Sequence, residues 1–198
     1  FCLDMSPAFQ SGIEEAFPHA KITFDQFHLM KLMNEAVDQV RRQECQEHAE
    51  LKGSKYLWLK NEWNHTKRQE EQFQELRSRN LQTNKAHHLK GVFQDIFTCS
   101  PEDGESLLTR WYFWATHSRI QPVIEFAKTV KRHWNGVVHW FQTKISNGLL
   151  EGMNSLIQAA KARSRGFRNV NNFITMIYLI GAKLEFKIPN ILPATHTK

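Results

Sequence analysis

The sequence predicts an α/β protein with a large helical part, and three observations carry that prediction. Two short apolar runs near the start each end in an aspartate and flank a helix. A long stretch with helical periodicity follows. Beyond it lies a helix with one carboxylate near its start and a cluster of cations at its end.

Phe1-Cys2-Leu3-Asp4 is an apolar tripeptide ending in an acid. Ser6 and Pro7 suit the cap and first position of a helix, whose inward side takes Phe9, Ile13, Ala16 and Phe17 before Pro18 stops it. Ala20 to Phe24 reads as a second strand, ending in Asp25. Strand, helix, strand implies a right-handed parallel crossover, with Asp4 and Asp25 at the carboxyl ends of their strands. Ligand and metal sites of open α/β sheets gather along that edge. Two carboxylates there, with a third brought in on a helix, suit a hard divalent ion, Mg²⁺ or Mn²⁺. Asp25 also fits the N-cap of a helix beginning near Gln26, so both a capping role and a part in a site stay open. His28 reads as a partly buried, satisfied histidine rather than a ligand.

From about 29 to 142 the chain reads as consecutive helices. Leu29, Leu32, Met33, Ala36, Val37 and Val40 mark a long first one, and Gly53 breaks the pattern before Tyr56. A strongly charged helix covers roughly 66–79, another runs from about Asn84 to Phe97, and Ser100-Pro101 opens the next with an acidic first turn. Ile120 to Trp134 and Val137 to Phe141 complete the region, with Gly104 a mild breaker. All six tryptophans fall here. Helical spacing of aromatics marks packing, while the functional reading has Trp111 or Trp114, beside Arg110, stacking on an unpaired base.

The next helix carries Leu149, Leu150, Met153, Ile157 and Ala160 on one face and Glu151, Asn154, Gln158, Lys161 and Arg165 on the other. With Arg163 and Arg168 added, a metal-competent oxygen is aligned with a row of phosphate-competent cations. The helix dipole alone accounts for an acid at the start and bases at the end, so that plainer reading stands beside it. Phe173 to Ile180 reads as a buried helix, too short and too interrupted to span a membrane.

Net charge is +6 over 198 residues, and it is unevenly placed: residues 1–50 hold nine acids against four bases, residues 151–198 two acids against seven. A basic end beside an acidic site suits phosphodiester chemistry. Cys2, Cys45 and Cys99 show neither zinc spacing nor a disulfide framework, which points to a reducing cytoplasm.

Several blocks carry a family likeness: Asp4-Met-Ser-Pro-Ala-Phe, Phe17-Pro-His-Ala-Lys-Ile with Asp25-Gln-Phe-His28, Tyr56-Leu-Trp-Leu-Lys60-Asn61, Leu89-Lys90, and Asn147-Gly-Leu-Leu-Glu151-Gly-Met-Asn154 through Gly166-Phe-Arg168-Asn169. In order and spacing they resemble the DDE transposases of bacterial insertion sequences, ISL3 group. The resemblance implies a partial ribonuclease-H-like core over 1–28 and 143–186, an all-helical insertion over 29–142, and a tail over 187–198. It implies Asp4 as second acid and Glu151 as third, both catalytic and metal-binding. The first acid, like the family's zinc-binding and DNA-binding regions, would lie upstream, so these residues are not expected to cut DNA alone.

Asp25, His28 and Asn154 would surround that site, while Lys161, Arg163, Arg165, Arg168, Trp111 and Trp114 would contact DNA. The implied partners are double-stranded DNA at the transposon ends and target DNA, with a homo-oligomer in the active complex and no membrane. Two alternatives are kept. A non-catalytic DNA-binding or assembly module would bind DNA without metal, and a purely structural helical domain would not bind it.

Overall fold

The computed structural model describes residues 1–3 and 5–182, and it divides into two compact units, Phe1–Ser146 and Asn147–Lys198. The described residues are mostly helical with one small two-stranded sheet among them, so the large helical part expected from sequence is present. The tail expected over 187–198 lies outside the described residues.

The first unit begins with the expected crossover. Strands β1 (Cys2–Leu3) and β2 (Thr23–Phe24) pair in parallel, Cys2 with Thr23 and Leu3 with Phe24. Helix α1 (Pro7–Ala16) connects them, with Ser6 at the cap position and Pro7 at its first turn. The predicted inward side of α1 is corrected: the helix buries no residue, and Phe9 and Phe17 are 62% and 54% exposed. Two strands of two residues offer too little surface to cover a helix face. Phe1 instead lies against Phe17, ring centroids 5.1 Å apart.

Helix α2 (Gln26–Glu44) is the axis of the helical body, burying Leu29, Met33, Val37 and Val40 at steps of three and four. Against it pack α3 (Lys55–Leu59), α5 (Gln82–Ile96) and α7 (Gln121–Arg132), with α4 (Lys67–Arg77) on α3, α6 (Pro101–Thr116) on α5 and α7, and α8 (Trp134–Thr143) on α6 and α7. Phe93 of α5 is the centre of the core, 4.5 Å from the Trp111 ring and 5.1 Å from the Phe126 ring. Helix ends are tied by side chains, some local and one from elsewhere in the chain. Thr66 and Gln69 form a capping box on α4. Ser100 caps α6 through the Asp103 amide at 3.2 Å. Leu81 cannot cap α5, and Glu44 of α2 accepts from the Gln82 and Thr83 amides instead, at 2.6 and 2.9 Å.

Two of the blocks that carried the family likeness meet here as structure. Ser54 accepts from the Trp58 indole at 3.0 Å, and the buried Lys90 ammonium donates to the carbonyls of Trp58 and Leu59 at 2.7 and 3.0 Å, closing the end of α3. Burial pulls the Lys90 pKa down to about 8, against a smaller upward pull from Glu62. Between about pH 8 and 10.5 the unfolded chain holds a proton that the folded chain has released, so this group's contribution rises with pH through that window. It is fully present above the unfolded pKa and lost as pH falls through about 8. Urea titrations of wild type and Lys90→Met at pH 7 and pH 10 should show the stability difference moving toward wild type at high pH. The movement should be no more than about 3 kcal/mol. A difference independent of pH would contradict the depressed pKa.

In the second unit, α9 (Gly148–Arg163) and α10 (Val170–Gly181) form an antiparallel hairpin. The α9 stripe is narrower than the sequence suggested. Ile157 is buried and Met153 and Ala160 are half-buried, but Leu150 is 59% exposed, and the side chain of Leu149 lies outside the described residues. The segment Phe173–Ile180 is helical as expected, yet α10 buries none of its residues, which corrects the buried-helix reading. Each helix of a lone pair can cover only one stripe of its partner. Among the described residues no helix is long and apolar enough to cross a membrane.

Candidate nucleic-acid interface and acidic residues

The acids come from three local contexts. Asp4 lies outside the described residues. Asp25 follows β2 and is buried; its carboxylate accepts from the Phe27 amide at 2.8 Å, which makes it the N-cap of α2. The capping reading of Asp25 therefore holds. His28 is half-buried in the first turn of α2, with its ring edge-on to Phe27 at 5.7 Å.

Glu151 sits in the first turn of α9, its amide bonded to the Asn147 carbonyl at 2.9 Å. The carboxylate is exposed and makes no hydrogen bond or ion pair among the described residues. An oxygen pair left uncommitted in this way is chemically suited to a hard cation. Asn154 follows one turn later, also exposed, on the same side of the helix. Among the described residues no group of three or more His, Cys, Asp or Glu is close enough to form a metal cluster.

The cations gather where α9 turns into α10. The Gly166 amide bonds back to the Lys161 carbonyl at 2.9 Å and the Arg165 amide to the Ala162 carbonyl at 3.0 Å, a Schellman termination. Arg165 holds the left-handed position (φ 54°) and Gly166 follows at φ 91°. The turn sends Lys161, Arg163, Arg165 and Arg168 outward, all exposed. Phe167 and Phe173 pack at 5.4 Å, and the Lys161 ammonium lies 5.4 Å from the Phe173 ring, so the loop is braced by aromatic contacts. Asn169 caps α10 through the Asn171 amide at 2.8 Å. Glu151 is the single acid among the described residues of this unit, leaving the turn strongly positive. Sequence alone pointed to the four cations; the left-handed Arg165 had only the following glycine as a signal.

The two tryptophans separate. Trp111 is fully buried, its indole donating to the Leu89 carbonyl at 2.9 Å, and it has no face left for a base. Trp114 is 51% exposed and lines a cavity of about 600 Å³ with Lys85, His87 and His88. His87 is held neutral, burial and then the Lys90 charge lowering its pKa to about 4, and it packs edge-on to Trp58 and Phe73. One feature had no local signal at all. Lys21 and the adjacent pair Lys131-Arg132, more than a hundred residues apart in sequence, line a single groove on the first unit.

The first unit holds the parallel crossover and the helical body, and the second an acid-bearing helix with a cationic end. The family model described as "Transposase", for the ISL3 group of DDE enzymes, matches residues 1–177. The chain belongs to that family. It is 27% identical over 184 residues to the transposase of insertion sequence element IS1001 from Bordetella parapertussis, covering 88% of this chain and 45% of the relative. It is 30% identical over 129 residues to the transposase of IS1557 from Mycobacterium tuberculosis, covering 65% of this chain and 29% of the relative. The chain thus spans less than half the length of these curated relatives. No solved structure matches it.

Proposed function

We propose that this chain is the carboxy-terminal portion of a transposase catalytic region, acting in metal-dependent DNA strand cleavage and strand transfer at insertion-sequence ends. The observation that carries the reading is the family match over 1–177, which spans both the Asp4 and the Glu151 blocks. The uncommitted carboxylate of Glu151, on a helix that ends in four exposed cations, supports it. In this reading 1–28 and 143–186 belong to a ribonuclease-H-like core and 29–142 is an insertion. The protein works in the cytoplasm on duplex DNA, as a homo-oligomer when active.

Asp4 and Glu151 are the residues that would hold Mg²⁺ or Mn²⁺, whose chemistry is to neutralise developing charge at the phosphate and to make a water or hydroxyl more acidic. Glu151 can ligate without breaking a contact, since none engages it among the described residues. Asn154, one turn on, would orient the Glu151 carboxylate or contact DNA. Lys161, Arg163, Arg165 and Arg168 grip phosphates and fix the strand, and of Trp111 and Trp114 it is Trp114 that has a face available for a base. Asp25 supports the site indirectly by fixing the start of α2. The family pattern has three acids and this sequence supplies candidates for two, so the 198 residues alone are expected not to cleave DNA.

Mn²⁺ binding followed by electron paramagnetic resonance tests the site in the chain and its Asp4→Asn and Glu151→Gln variants. Weak binding that weakens at least tenfold in both variants is the expected result. Binding unchanged in both sinks the assignment. If DNA binding also proves metal-independent and indifferent to both acids, the chain is a non-catalytic DNA-binding or assembly module.

A further inference from the structure

The first unit carries a groove of about 630 Å³ between α1, the approach to β2 and the α7–α8 junction. Lys21, Lys131 and Arg132 line it, with Glu14 the one acid in its wall. All three cations are exposed, and among the described residues none of them pairs with a carboxylate. The other sizeable cavities differ in that respect. Among the described residues, in one Arg77 is paired with Glu62 and Lys85 alone is without a carboxylate; in another, Arg42 and Lys55 both face Asp38 and Lys31 alone is without one. Cations that have found partners are spent as structural contacts, whereas three unpaired ones sharing one concavity leave a focused positive potential.

The groove is also built to hold these charges in place. The Lys131 ammonium lies 4.4 Å from the Trp134 ring and 5.7 Å from the Tyr112 ring, and Trp134 is itself anchored by donating to Glu105 at 3.2 Å. The side-chain amide nitrogen of Gln10, on the same wall, is buried without an acceptor among the described residues, a donor left over where most buried polar groups are satisfied. His139 shares a 2.6 Å hydrogen bond with the Thr23 hydroxyl and, with His133, lines the groove. Burial lowers both histidine pKa values, and Arg132 and Lys21 respectively push them further down, which is the mark of a positive environment.

We infer that this groove is a second DNA contact, in which Lys21, Lys131 and Arg132 hold consecutive phosphates of a strand passing over the first unit. It rests on the reading of the chain as a DNA-processing transposase and adds a surface that the α9–α10 turn does not supply. A phosphodiester backbone fits because its charges are regularly spaced and its hydrogen-bonding atoms are acceptors, matching a wall of donors and cations.

Duplex DNA of mixed sequence, labelled for fluorescence anisotropy, is titrated with the chain between 50 and 200 mM salt. The Lys21→Gln/Lys131→Gln/Arg132→Gln triple variant is compared with wild type and with a Lys161→Gln/Arg163→Gln/Arg165→Gln/Arg168→Gln variant, circular dichroism confirming that each is folded. The expected result is a several-fold loss of affinity for each groove contact removed, with the salt slope flattening by roughly one unit per contact. Unchanged affinity and slope in the groove variant, with loss confined to the turn variant, overturns the groove and leaves the transposase reading intact. Absence of any salt-dependent affinity in wild type overturns both. Equal affinity for polyglutamate of matched charge would likewise overturn the assignment to DNA.

Discussion

Trp111→Ala should destabilise the protein by about 3–5 kcal/mol, the range for emptying a buried tryptophan site. That is a large share of the roughly 5–15 kcal/mol by which a domain is folded. The indole fills the space between α5, α6 and α7, touching the Phe93 and Phe126 rings at centroid distances of 4.5 and 5.8 Å. Its N–H is bonded to the Leu89 carbonyl, one residue before the lysine that closes α3. Truncation therefore opens a cavity where three helices converge, and close-packed neighbours relax into it only in part. Urea denaturation should show the midpoint moving with the slope nearly unchanged. Trp114→Ala, three residues on and half-exposed, should change stability by less than about 1 kcal/mol. Equal effects at the two positions would mean that the core is not organised around Trp111.

Gly136→Ala carries the second large effect, and its sign is the informative part. Alanine in a helix is ordinarily favoured over glycine by about 1 kcal/mol. At Gly136 a Cβ would sit 2.4 and 2.5 Å from two ring carbons of Phe24 and 3.3 Å from the Ile22 carbonyl oxygen. Phe24 cannot swing aside: it is buried, it is paired through β2 with Leu3, and it lies edge-on to His133 at 4.9 Å. Overpacking of that kind costs about 3 kcal/mol, so the net loss should be about 2 kcal/mol. In a chain of this size that is a fall in melting temperature of roughly 4–8 °C. Gly91→Ala on α5, where nothing lies within 4 Å, should instead raise it slightly. A rise at Gly136 would mean that α8 does not press on β2, and the position of Asp25, the residue after Phe24, would lose its support.

These two positions also show what could be read from the residues. Elements announced by local chemistry were legible: Ser-Pro before α1, Asp25 before α2, Ser100-Pro101 before α6, and the parallel pairing that two acid-terminated apolar runs implied. Helical periodicity located α2 and α5 to within a few residues. Burial was less legible, because it depends on what an element meets. Phe9, Phe17, Leu150 and Tyr178 occupy positions that periodicity marks as inward and yet are exposed, whereas Trp58, Trp111 and Trp140 are buried as packing residues. Gly104 read as a helix breaker and is instead the gap that admits the Phe141 ring, 2.7 Å from where its Cβ would be. Of the candidate site, the cations at the end of α9 were visible as a run, while Lys21 meets the Lys131-Arg132 pair only through tertiary packing.

The left-handed Arg165 has an evolutionary consequence. Glycine is the low-strain occupant of that position, and an arginine there gives up stability on the order of 1 kcal/mol. Selection for thermal robustness alone would drift toward glycine at 165, and selection for the proposed phosphate contact would draw arginine back. If Arg165 grips a phosphate as proposed, residue 165 is a place where persistence of the fold and hold on the nucleic acid compete for a single codon, with the backbone angle setting the exchange rate between them.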